Sequence, residues 1–405
     1  MGRIEGIRIE NYRVLKDVSF GRFAWDSSQK ALEPLTVVIG RNGSGKSTLF
    51  DAFGFLSDVL RFGLEEACDL RGRGGIKRLF SKGTNGPLRF TIRYREGPNE
   101  RPLRYELEIG IDESERPSVL SERITQNRKN QSKGKPYHFL NLQHGKGQVW
   151  SGEEGLEGED SSKLNIELSD TRRLGIATLG SLKEHPRIAR FRNFIESWFL
   201  SYFQPNAARS LPLAGPQKHL APTGENLGNV VQYLEREHKE KFKRILARIA
   251  EKIPGISSID TKPTDDDRLL LRFGESAFAD PFYAQQMSDG TLKLFAYLLL
   301  LEDPEPPSFI GLEEPENGLY HKLLEAFARE LRENSRKPGS PQIFVTTHQP
   351  YLVDALTPDE TWILEKGENG FSRLRCAADD ELVRNLAQEG LPLGGLWYSD
   401  YFDPR

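Results

Sequence analysis

The chain has 405 residues, of which 37% are hydrophobic and 28% charged, a balance typical of a water-soluble globular protein with two or three domains. The formal net charge of −3 excludes a polycation, so contact with nucleic acid would require a local basic patch. The two cysteines, Cys68 and Cys376, lack metal-binding spacing and are too few for a disulfide framework, which predicts a reducing, cytoplasmic setting. The charged N-terminus does not resemble a signal peptide, and the longest apolar run, residues 294–301, is too short to span a bilayer; we therefore expect no membrane association without a partner.

The first elements lead into a glycine-rich loop. Alternating patterns at residues 3–9 and 14–20 predict two strands, and the β-branched run at 35–39 predicts a third. The next residues read Gly-Arg-Asn-Gly-Ser-Gly-Lys-Ser from 40 to 47, and a helical pattern then continues to about residue 62. A strand, this G-x-x-x-x-G-K-S spacing and a helix, in that order, predict a phosphate-binding loop.

The chemistry of this loop suits a nucleoside triphosphate. Its glycines allow the backbone N–H groups to face the phosphates, and the helix that follows directs its positive end toward them. Lys46 is predicted to reach the β- and γ-phosphates of ATP, and Ser47 to bind Mg²⁺. We expect Lys46 to face solvent when no nucleotide is bound. The predicted nucleotide-binding residues of the loop are Gly40, Asn42, Gly43, Ser44, Gly45, Lys46, Ser47 and Thr48.

The middle of the chain changes from strands to helices and back. Short strand patterns between residues 88 and 150 predict an antiparallel sheet, and the acidic, glycine-rich stretch 151–161 predicts an exposed loop. Helical spacing of apolar residues covers 187–203 and 225–253, and strand patterns return at 256–260 and 269–273. These changes predict an N-terminal lobe with the antiparallel subdomain (1–175), a helical insertion (176–260) and a C-terminal lobe (261–405).

Residues 287–291, Met-Ser-Asp-Gly-Thr, open a strongly apolar helix that continues to residue 301. Ser288 is a favourable N-cap, and Gly290 permits close approach of a backbone or ligand. The N-terminus of such a helix is a suitable anion site, although the segment taken alone favours an ordinary capped core helix.

An apolar strand then ends in two carboxylates, Glu313 and Glu314. At the carboxyl end of a parallel sheet, one carboxylate could orient Mg²⁺ while the other polarises an attacking water; the alternative is an exposed acidic turn. A further buried strand at 342–347 ends at His348, which stands where a γ-phosphate sensor would be expected.

Together, four segments resemble the ATP-binding-cassette head of RecF/SMC-like ATPases: Gly40–Ser47, Met287–Thr291, Ile310–Asn317 and Thr346–His348. The chain in particular resembles compact bacterial AAA-family ATPases related to the ATPase part of OLD-family proteins, a pattern that Leu396–Ser399 also fits. The resemblance implies an α/β fold, an ABC/SMC-type P-loop ATPase head with a mixed sheet core, an antiparallel β subdomain and a helical insertion.

The resemblance also implies roles for individual residues. Glu314 matches the catalytic base, His348 the sensor, and Glu313 the Mg²⁺ ligand that works with Ser47, at a position where most relatives carry Asp. Ser288 and Gly290 match the signature that completes the ATP site of a second protomer. The loop Asn317–Gly318 matches the one that crosses the dimer interface. Two positions depart from the family pattern, Tyr320-His321 and Gln349, and no residue is assigned to the glutamine loop.

The function implied is a cytoplasmic ATPase that forms a homodimer or higher homo-oligomer around Mg²⁺ and ATP and switches an effector. That effector is expected to be nuclease-like and encoded nearby, in DNA repair or anti-phage defence. The alternative is a nucleotide-gated scaffold or sensor with low turnover that holds a nuclease or toxin.

An ABC transporter subunit is disfavoured because about 240 residues separate the P-loop from Ser288. An OLD-type nuclease is disfavoured because too few residues follow His348 for a domain of that kind.

A basic loop offers a second candidate site. Cations in the stretch 71–82 could contact DNA phosphates, although a solvated loop or a loop contacting nucleotide or a protein partner fits the same composition. The candidate DNA-contacting residues are Arg71, Arg73, Lys77, Arg78 and Lys82.

Overall fold

The computed structural model describes residues 1–25, 29–127, 136–150, 163–253 and 255–402, so the predicted acidic loop at 151–161 lies outside the described residues. The strands of the described part are β1 (Arg3–Tyr12), β2 (Leu15–Gly21), β3 (Leu35–Ile39), β4 (Leu88–Arg95), β5 (Leu103–Ile111), β6 (Pro117–Gln126), β7 (Tyr137–Gln143), β8 (Lys146–Trp150), β9 (Lys163–Glu167), β10 (Phe199–Ser201), β11 (Ile256–Pro263), β12 (Leu269–Glu275), β13 (Phe282–Tyr283), β14 (Phe309–Glu313), β15 (Gln342–Thr347), β16 (Thr361–Lys366) and β17 (Ser372–Cys376).

The α-helices of the same residues connect or cover these strands. They are α1 (Lys46–Phe62), α2 (Leu64–Asp69), α3 (Gly175–Leu179), α4 (Pro186–Glu196), α5 (Pro205–Ala208), α6 (Leu227–Glu237), α7 (Lys239–Lys252), α8 (Asp289–Leu301), α9 (His321–Arg336), α10 (Pro350–Val353), α11 (Glu381–Gln388) and α12 (Leu393–Tyr398). Within the described part of the chain, every helix is too short or too polar to cross a lipid bilayer.

The strands form three sheets in the described residues. An antiparallel sheet has the order β2-β1-β4-β5-β6-β7-β8-β9, and a small one has the order β11-β12-β13. The central sheet has the order β10-β14-β15-β3-β16-β17; its first five strands are parallel, and β17 runs antiparallel to β16. The predicted antiparallel sheet and the parallel arrangement of the strands before the P-loop and the acid pair are both confirmed.

Both faces of the central sheet are buried. In β3, Leu35, Val37 and Ile39 join one apolar core and Val38 joins the other. The core around Val38 includes α1, α4 and the antiparallel sheet, whereas the opposite core includes α6, α7, α8 and α9. Continuous apolar strands such as β3 are what a parallel sheet covered on both faces requires.

The helix after the P-loop owes its burial to its position between two sheets. Phe53 of α1 packs against Phe309 of β14 and Phe344 of β15, with ring centroids 5.3 Å and 4.8 Å apart. The helix ends at Gly63, whose positive φ of 92° breaks the helical path. The predicted limits of β3 and α1 are therefore confirmed.

The prediction of helix throughout 187–203 is wrong at its C-terminal end. Helix α4 stops at Glu196, and Phe199–Ser201 form β10, which pairs in parallel with β14 at the edge of the central sheet. The consecutive apolar residues Trp198, Phe199 and Leu200 suit either element locally, and the free edge of β14 selects the strand.

The predicted helical stretch 225–253 divides into α6 and α7 at His238, whose φ and ψ are −135° and 45°. The three-part division of the chain stays a prediction.

Candidate nucleotide-binding site

The glycine-rich loop connects β3 to α1 at the carboxyl end of the parallel strands. Gly43 and Gly45 have φ angles of 80° and 107°, in the left-handed region that favours glycine. At Gly40, an added Cβ would lie 2.4 Å from the carbonyl oxygen of Leu364, so neighbouring backbone leaves no room for a side chain. The loop conformation therefore depends on the glycines by which the motif was recognised.

Lys46 lies inside this loop, with only 5% of its surface exposed. Its Nζ donates hydrogen bonds to the carbonyl oxygens of Gly40 at 2.8 Å and Arg41 at 3.4 Å. The same atom lies 3.6 Å from Oε1 of Glu314. The prediction that Lys46 faces solvent is wrong, because the loop curls around the ammonium and places its carbonyl oxygens against it.

The loop has features that fit a phosphate group. The Ser44 hydroxyl is buried and, among the described residues, has no hydrogen-bond partner, although its carbonyl accepts a 2.6 Å bond from Ser372 Oγ. Successive backbone groups in a turn with left-handed glycines form an anion-binding concavity, and the N-terminus of α1 adjoins it. Asn42 and Ser47 are exposed at this end of the loop, and Thr48 is half-buried in the first turn of α1.

A small donor set for Mg²⁺ adjoins the loop. The Ser47 hydroxyl hydrogen-bonds to the carboxylate of Glu313. Mg²⁺ commonly takes one or two protein oxygens and completes its shell with water and substrate phosphates, so this pair fits the ion. In the described ranges, no cluster of three or more His, Cys, Asp or Glu side chains is arranged as a metal site.

The two carboxylates at the end of β14 have separate surroundings. Glu314 has a positive φ of 41°, which is strained for a residue with a side chain, and its N–H donates to the carbonyl of Thr346 at 2.9 Å. This turn leaves Glu313 in contact with Ser47 and places Glu314 beside Lys46 and His348. The sequence predicted a carboxylate pair at this edge. The strained backbone at Glu314 directs the two neighbouring side chains toward different contacts.

The surroundings shift the two pKa values in opposite directions. Burial raises the pKa of Glu313 above its ordinary value, against the hydrogen bond from Ser47, and the nearby Glu314 carboxylate adds to the rise. Burial acts on Glu314 as well, but the Asn317 amide and the His348 ring outweigh it and hold the pKa of Glu314 below its ordinary value. Neighbouring acids whose pKa values are driven apart are suited to different chemical tasks.

His348 is positioned by a buried glutamate that the sequence analysis missed. Its Nδ1 lies 3.2 Å from Oε1 of Glu314 and 3.5 Å from Oε1 of Glu316. Glu316 accepts hydrogen bonds from the Thr347 hydroxyl at 2.6 Å and the His348 backbone N–H at 3.0 Å. Glu316 therefore holds the end of β15 and the histidine beside Glu314. Its place two residues after Glu314 was a signal that the sequence offered.

The segment 287–291 contacts the turn that follows Glu314. Ser288 caps α8 by accepting a 3.2 Å hydrogen bond from the Thr291 N–H, which confirms the predicted N-cap. A Cβ on Gly290 would lie 2.2 Å from the carbonyl oxygen of Gly318, so only glycine permits this approach. Ser288 is exposed, whereas Gly290 is half-buried against the turn.

A buried lysine joins the same two segments. Lys293, in α8, donates hydrogen bonds from Nζ to the carbonyl oxygens of Glu314 and Asn317, each at 3.2 Å. Burial lowers the pKa of Lys293, while the carboxylates of Glu316, Glu314 and Asp289 oppose that shift. Lys293 is the one charged residue in the apolar run 292–301, a sequence signal that was overlooked.

Most cations of the basic loop at 71–82 pair with carboxylates of the same protein. Arg73 is almost fully buried, and its guanidinium pairs with Asp51 at 2.9 Å and Asp58 at 2.8 Å, so the prediction that Arg73 contacts DNA is wrong. Arg71 pairs with Asp58 at 2.9 Å and stacks on a tyrosine, and Lys77 pairs with a glutamate. Arg71, Lys77, Arg78 and Lys82 are exposed, and for these four residues DNA contact stays a prediction.

The family follows from a match over most of this chain. Residues 35–354 match the family model described as "AAA domain, putative AbiEii toxin, Type IV TA system". The chain belongs to this family. The matched range runs from the P-loop strand through the acid pair and beyond His348, so it includes every motif of the candidate site. A search of curated proteins found no match.

Solved structures identify the fold of this AAA-family chain. It is similar to an SMC head bound to the C-winged helix domain of ScpA, with 14% identity and a TM-score of 0.54, covering 92% of this chain and 96% of that one. It is also similar to the Smc head domain with an extended coiled coil bound to the C-terminal domain of ScpA from Pyrococcus furiosus. That match has 13% identity and a TM-score of 0.52, and it covers 96% of this chain and 100% of the other. The fold is that of an SMC-type P-loop ATPase head, as predicted.

Proposed function

We propose that the protein binds and hydrolyses ATP with Mg²⁺ at the site built around Lys46 and Glu314. The observation that carries this proposal is the cluster of Lys46, Glu314 and His348, which joins three separate motifs within contacts of 3.6 Å and 3.2 Å. The cluster lies where β3, β14 and β15 end, and the carboxyl ends of parallel strands are where open α/β sheets bind ligands.

The proposed roles follow from these contacts. Lys46 and the backbone of residues 40–45 would hold the phosphates, and Ser47 with Glu313 would hold Mg²⁺, which when bound neutralises phosphate charge. Glu314, kept ionised by its lowered pKa, would orient the attacking water and accept its proton. His348, held by Glu316, would sense the γ-phosphate beside that carboxylate.

We further propose that the ATP-bound form is a head-to-tail homodimer. Ser288 is exposed at the N-terminus of α8, and the adjoining residues Asn317 and Gly318 are exposed as well. In this arrangement, the Ser288 end of one protomer would complete the site of the other, because a capped helix N-terminus is suited to bind phosphate. Higher homo-oligomers remain compatible with the same contacts.

The dimer would act as a switch for another protein. Both structural relatives named above are bound to a domain of ScpA, and the family description refers to a toxin–antitoxin system. By analogy with these relatives, the chain would act on an effector protein. We propose a nuclease-like effector in cytoplasmic DNA repair or anti-phage defence, with a low-turnover scaffold that holds a nuclease or toxin as the alternative.

The variant Glu314→Gln tests the proposal. We expect turnover to fall by about 10²–10⁴-fold while ATP binding is retained, because the carboxylate alone acts as the base. Light scattering should show that the variant accumulates as a dimer with Mg²⁺ and ATP. Glu325→Gln, on the exposed face of α9, is the matched control.

Hydrolysis by Glu314→Gln at the wild-type rate would remove Glu314 from the chemistry. A wild-type protein that dimerises with ATP but hydrolyses it no faster than the uncatalysed background would favour the scaffold. A wild type that neither dimerises nor hydrolyses would contradict both readings.

A further inference from the structure

The exposed N-terminus of α8 carries a negative charge beside the Ser288 hydroxyl. Asp289 is the first residue of the helix, and 61% of its side chain is exposed. A carboxylate there stabilises the helix because it faces the positive end of the helix dipole. The same carboxylate would repel a triphosphate that approaches Ser288.

An arginine from another part of the chain pairs with this carboxylate. Arg209, which follows the short helix α5, donates from Nη2 to Asp289 Oδ1 and to the carbonyl oxygen of Met287, the latter at 2.8 Å. Its Nη1 also donates to Asn206 at 3.0 Å. One guanidinium thus holds both sides of Ser288 and compensates the charge next to it.

The contact is reinforced from the backbone. The side-chain amide of Gln285 donates to the carbonyl oxygen of Arg209 at 2.6 Å. The segment 285–289 is therefore attached to Arg209 through its side chain and its main chain. With 21% of its side chain exposed, Arg209 is partly shielded from solvent, where a charge pair is screened less than at an open surface.

We propose that Arg209 is a positioning residue that makes the Ser288 end of α8 able to accept the triphosphate bound by a second copy of this chain. Arg209 neutralises Asp289 and fixes Met287–Asp289 in the conformation that presents the Ser288 hydroxyl and the first N–H groups of α8. The inference rests on the proposed head-to-tail dimer. It adds that Arg209 must neutralise Asp289 at the dimer interface before the phosphates of the second copy can bind there.

The experiment uses the Glu314→Gln protein, in which ATP-bound dimers should accumulate, with Mg²⁺ and ATP as the probe. Adding Arg209→Gln should weaken ATP-driven dimerisation about tenfold or more, since an uncompensated carboxylate would then face the phosphates. Arg209→Lys, which keeps the charge, should dimerise nearly as well as the parent. Asp289→Asn added to Arg209→Gln should restore dimerisation, because it removes the charge that Arg209 compensates.

Two measurements separate this role from a structural one. Affinity of each protomer's own P-loop for a fluorescent ATP analogue at protein concentrations too low for dimers should not change, and neither should the melting temperature. Arg272→Gln is the matched control, since Arg272 pairs with Asp260 at 2.6 Å on the three-stranded sheet.

Undiminished dimerisation of the Arg209→Gln protein would overturn the inference. So would a loss that Asp289→Asn does not restore, which would mean that Arg209 acts only through the Met287 carbonyl, or a loss that accompanies weaker P-loop binding or a lower melting temperature. Failure of the Glu314→Gln parent to dimerise at any ATP concentration would instead contradict the proposed dimer, and the inference with it.

Discussion

Lys293, inside the otherwise apolar helix α8, donates a hydrogen bond to the main-chain carbonyl of Glu314 over a distance of 3.2 Å. The exposed end of that helix carries Ser288, and Gly290 packs against Gly318 in the turn after Glu314. Contacts made by Lys293 and Gly290 of α8 therefore connect the helix that carries Ser288 to the turn that carries Glu314 within one protomer. In the proposed dimer these two residues serve different ATP molecules, so the contacts couple the two sites.

Replacing Lys293 by methionine should separate activity from stability. Methionine fits the apolar surroundings and removes the cost of burying an ammonium, which offsets the loss of a donor to the two carbonyls, so the melting temperature should change little. ATP turnover should fall about tenfold or more, because the carbonyls that position Glu314 lose their donor. Steady-state hydrolysis and thermal melting measure the two effects.

Lys241→Met is the control for Lys293→Met. Lys241 also donates to a backbone carbonyl, that of Asp303 at 3.3 Å, and burial also lowers its pKa, but it lies on α7 away from the acid pair. Equal losses of turnover in both variants would contradict a special role for Lys293.

Removing the ammonium of Lys46 should abolish ATP binding. In Lys46→Ala the phosphates would lose their cation, and the carbonyls of Gly40 and Arg41 would lose a donor. Because that donor is buried, we expect a loss of about 1–3 kcal/mol in the free energy of unfolding rather than none. Calorimetric titration with ATP and chemical denaturation check both parts, with exposed Lys77→Ala as the control. Unaltered ATP affinity would refute the P-loop assignment.

Mixing two inactive variants should restore part of the activity. Ser288→Arg should block ATP-driven dimerisation with itself yet bind ATP at its own P-loop, whereas Lys46→Ala retains an intact Ser288. In a mixed dimer, the intact P-loop of the first variant would face the intact Ser288 of the second, and one whole site would form. Hydrolysis by the mixture, compared with each variant alone, measures this; full activity of Ser288→Arg as a monomer would rule out the dimer mechanism.

Stability should depend on pH through Glu122. This buried carboxyl on β6 accepts hydrogen bonds from the backbone N–H groups of Gly175 and Ile176 and from Tyr105, yet burial raises its pKa from 4.5 to about 7. The folded state therefore holds the proton more tightly than the unfolded chain. The contribution of Glu122 to the free energy of unfolding is fully present below about pH 4.5, falls as the pH rises to about 7, and then stays level.

Comparison with Glu122→Gln isolates this effect from the rest of the chain. The free energy of unfolding of the wild type, measured relative to the variant by denaturant titration, should fall by up to about 3 kcal/mol between pH 4.5 and 7.5. Exposed Glu325→Gln should show no such difference. A wild-type advantage that grows with pH would show that the hydrogen bonds to Glu122 outweigh its burial.

The sequence by itself determined the elements whose signals are local. The P-loop strand, its glycines and α1 follow from a fixed spacing and from turn conformations that only glycine adopts readily, and they appear where predicted. The short strands between residues 88 and 150 follow from alternation, because a strand with one buried face repeats every two residues. The motifs likewise placed Glu313, Glu314 and His348 at strand ends before any contact among them was visible.

Tertiary structure decided what depends on a partner distant in the chain. The residues Trp198, Phe199 and Leu200 are apolar in either element, and only the free edge of β14 makes 199–201 a strand. Arg73 and Lys46 are charged residues that local patterns assign to solvent. Arg73 is buried because acids of α1 pair with it, and Lys46 is buried because the carbonyl oxygens of its own loop accept its hydrogen bonds and Glu314, from a distant segment, lies 3.6 Å away. The contacts of Glu316, Lys293 and Arg209 join residues 21 to 80 positions apart, and pairing over such distances leaves no periodic trace in the sequence.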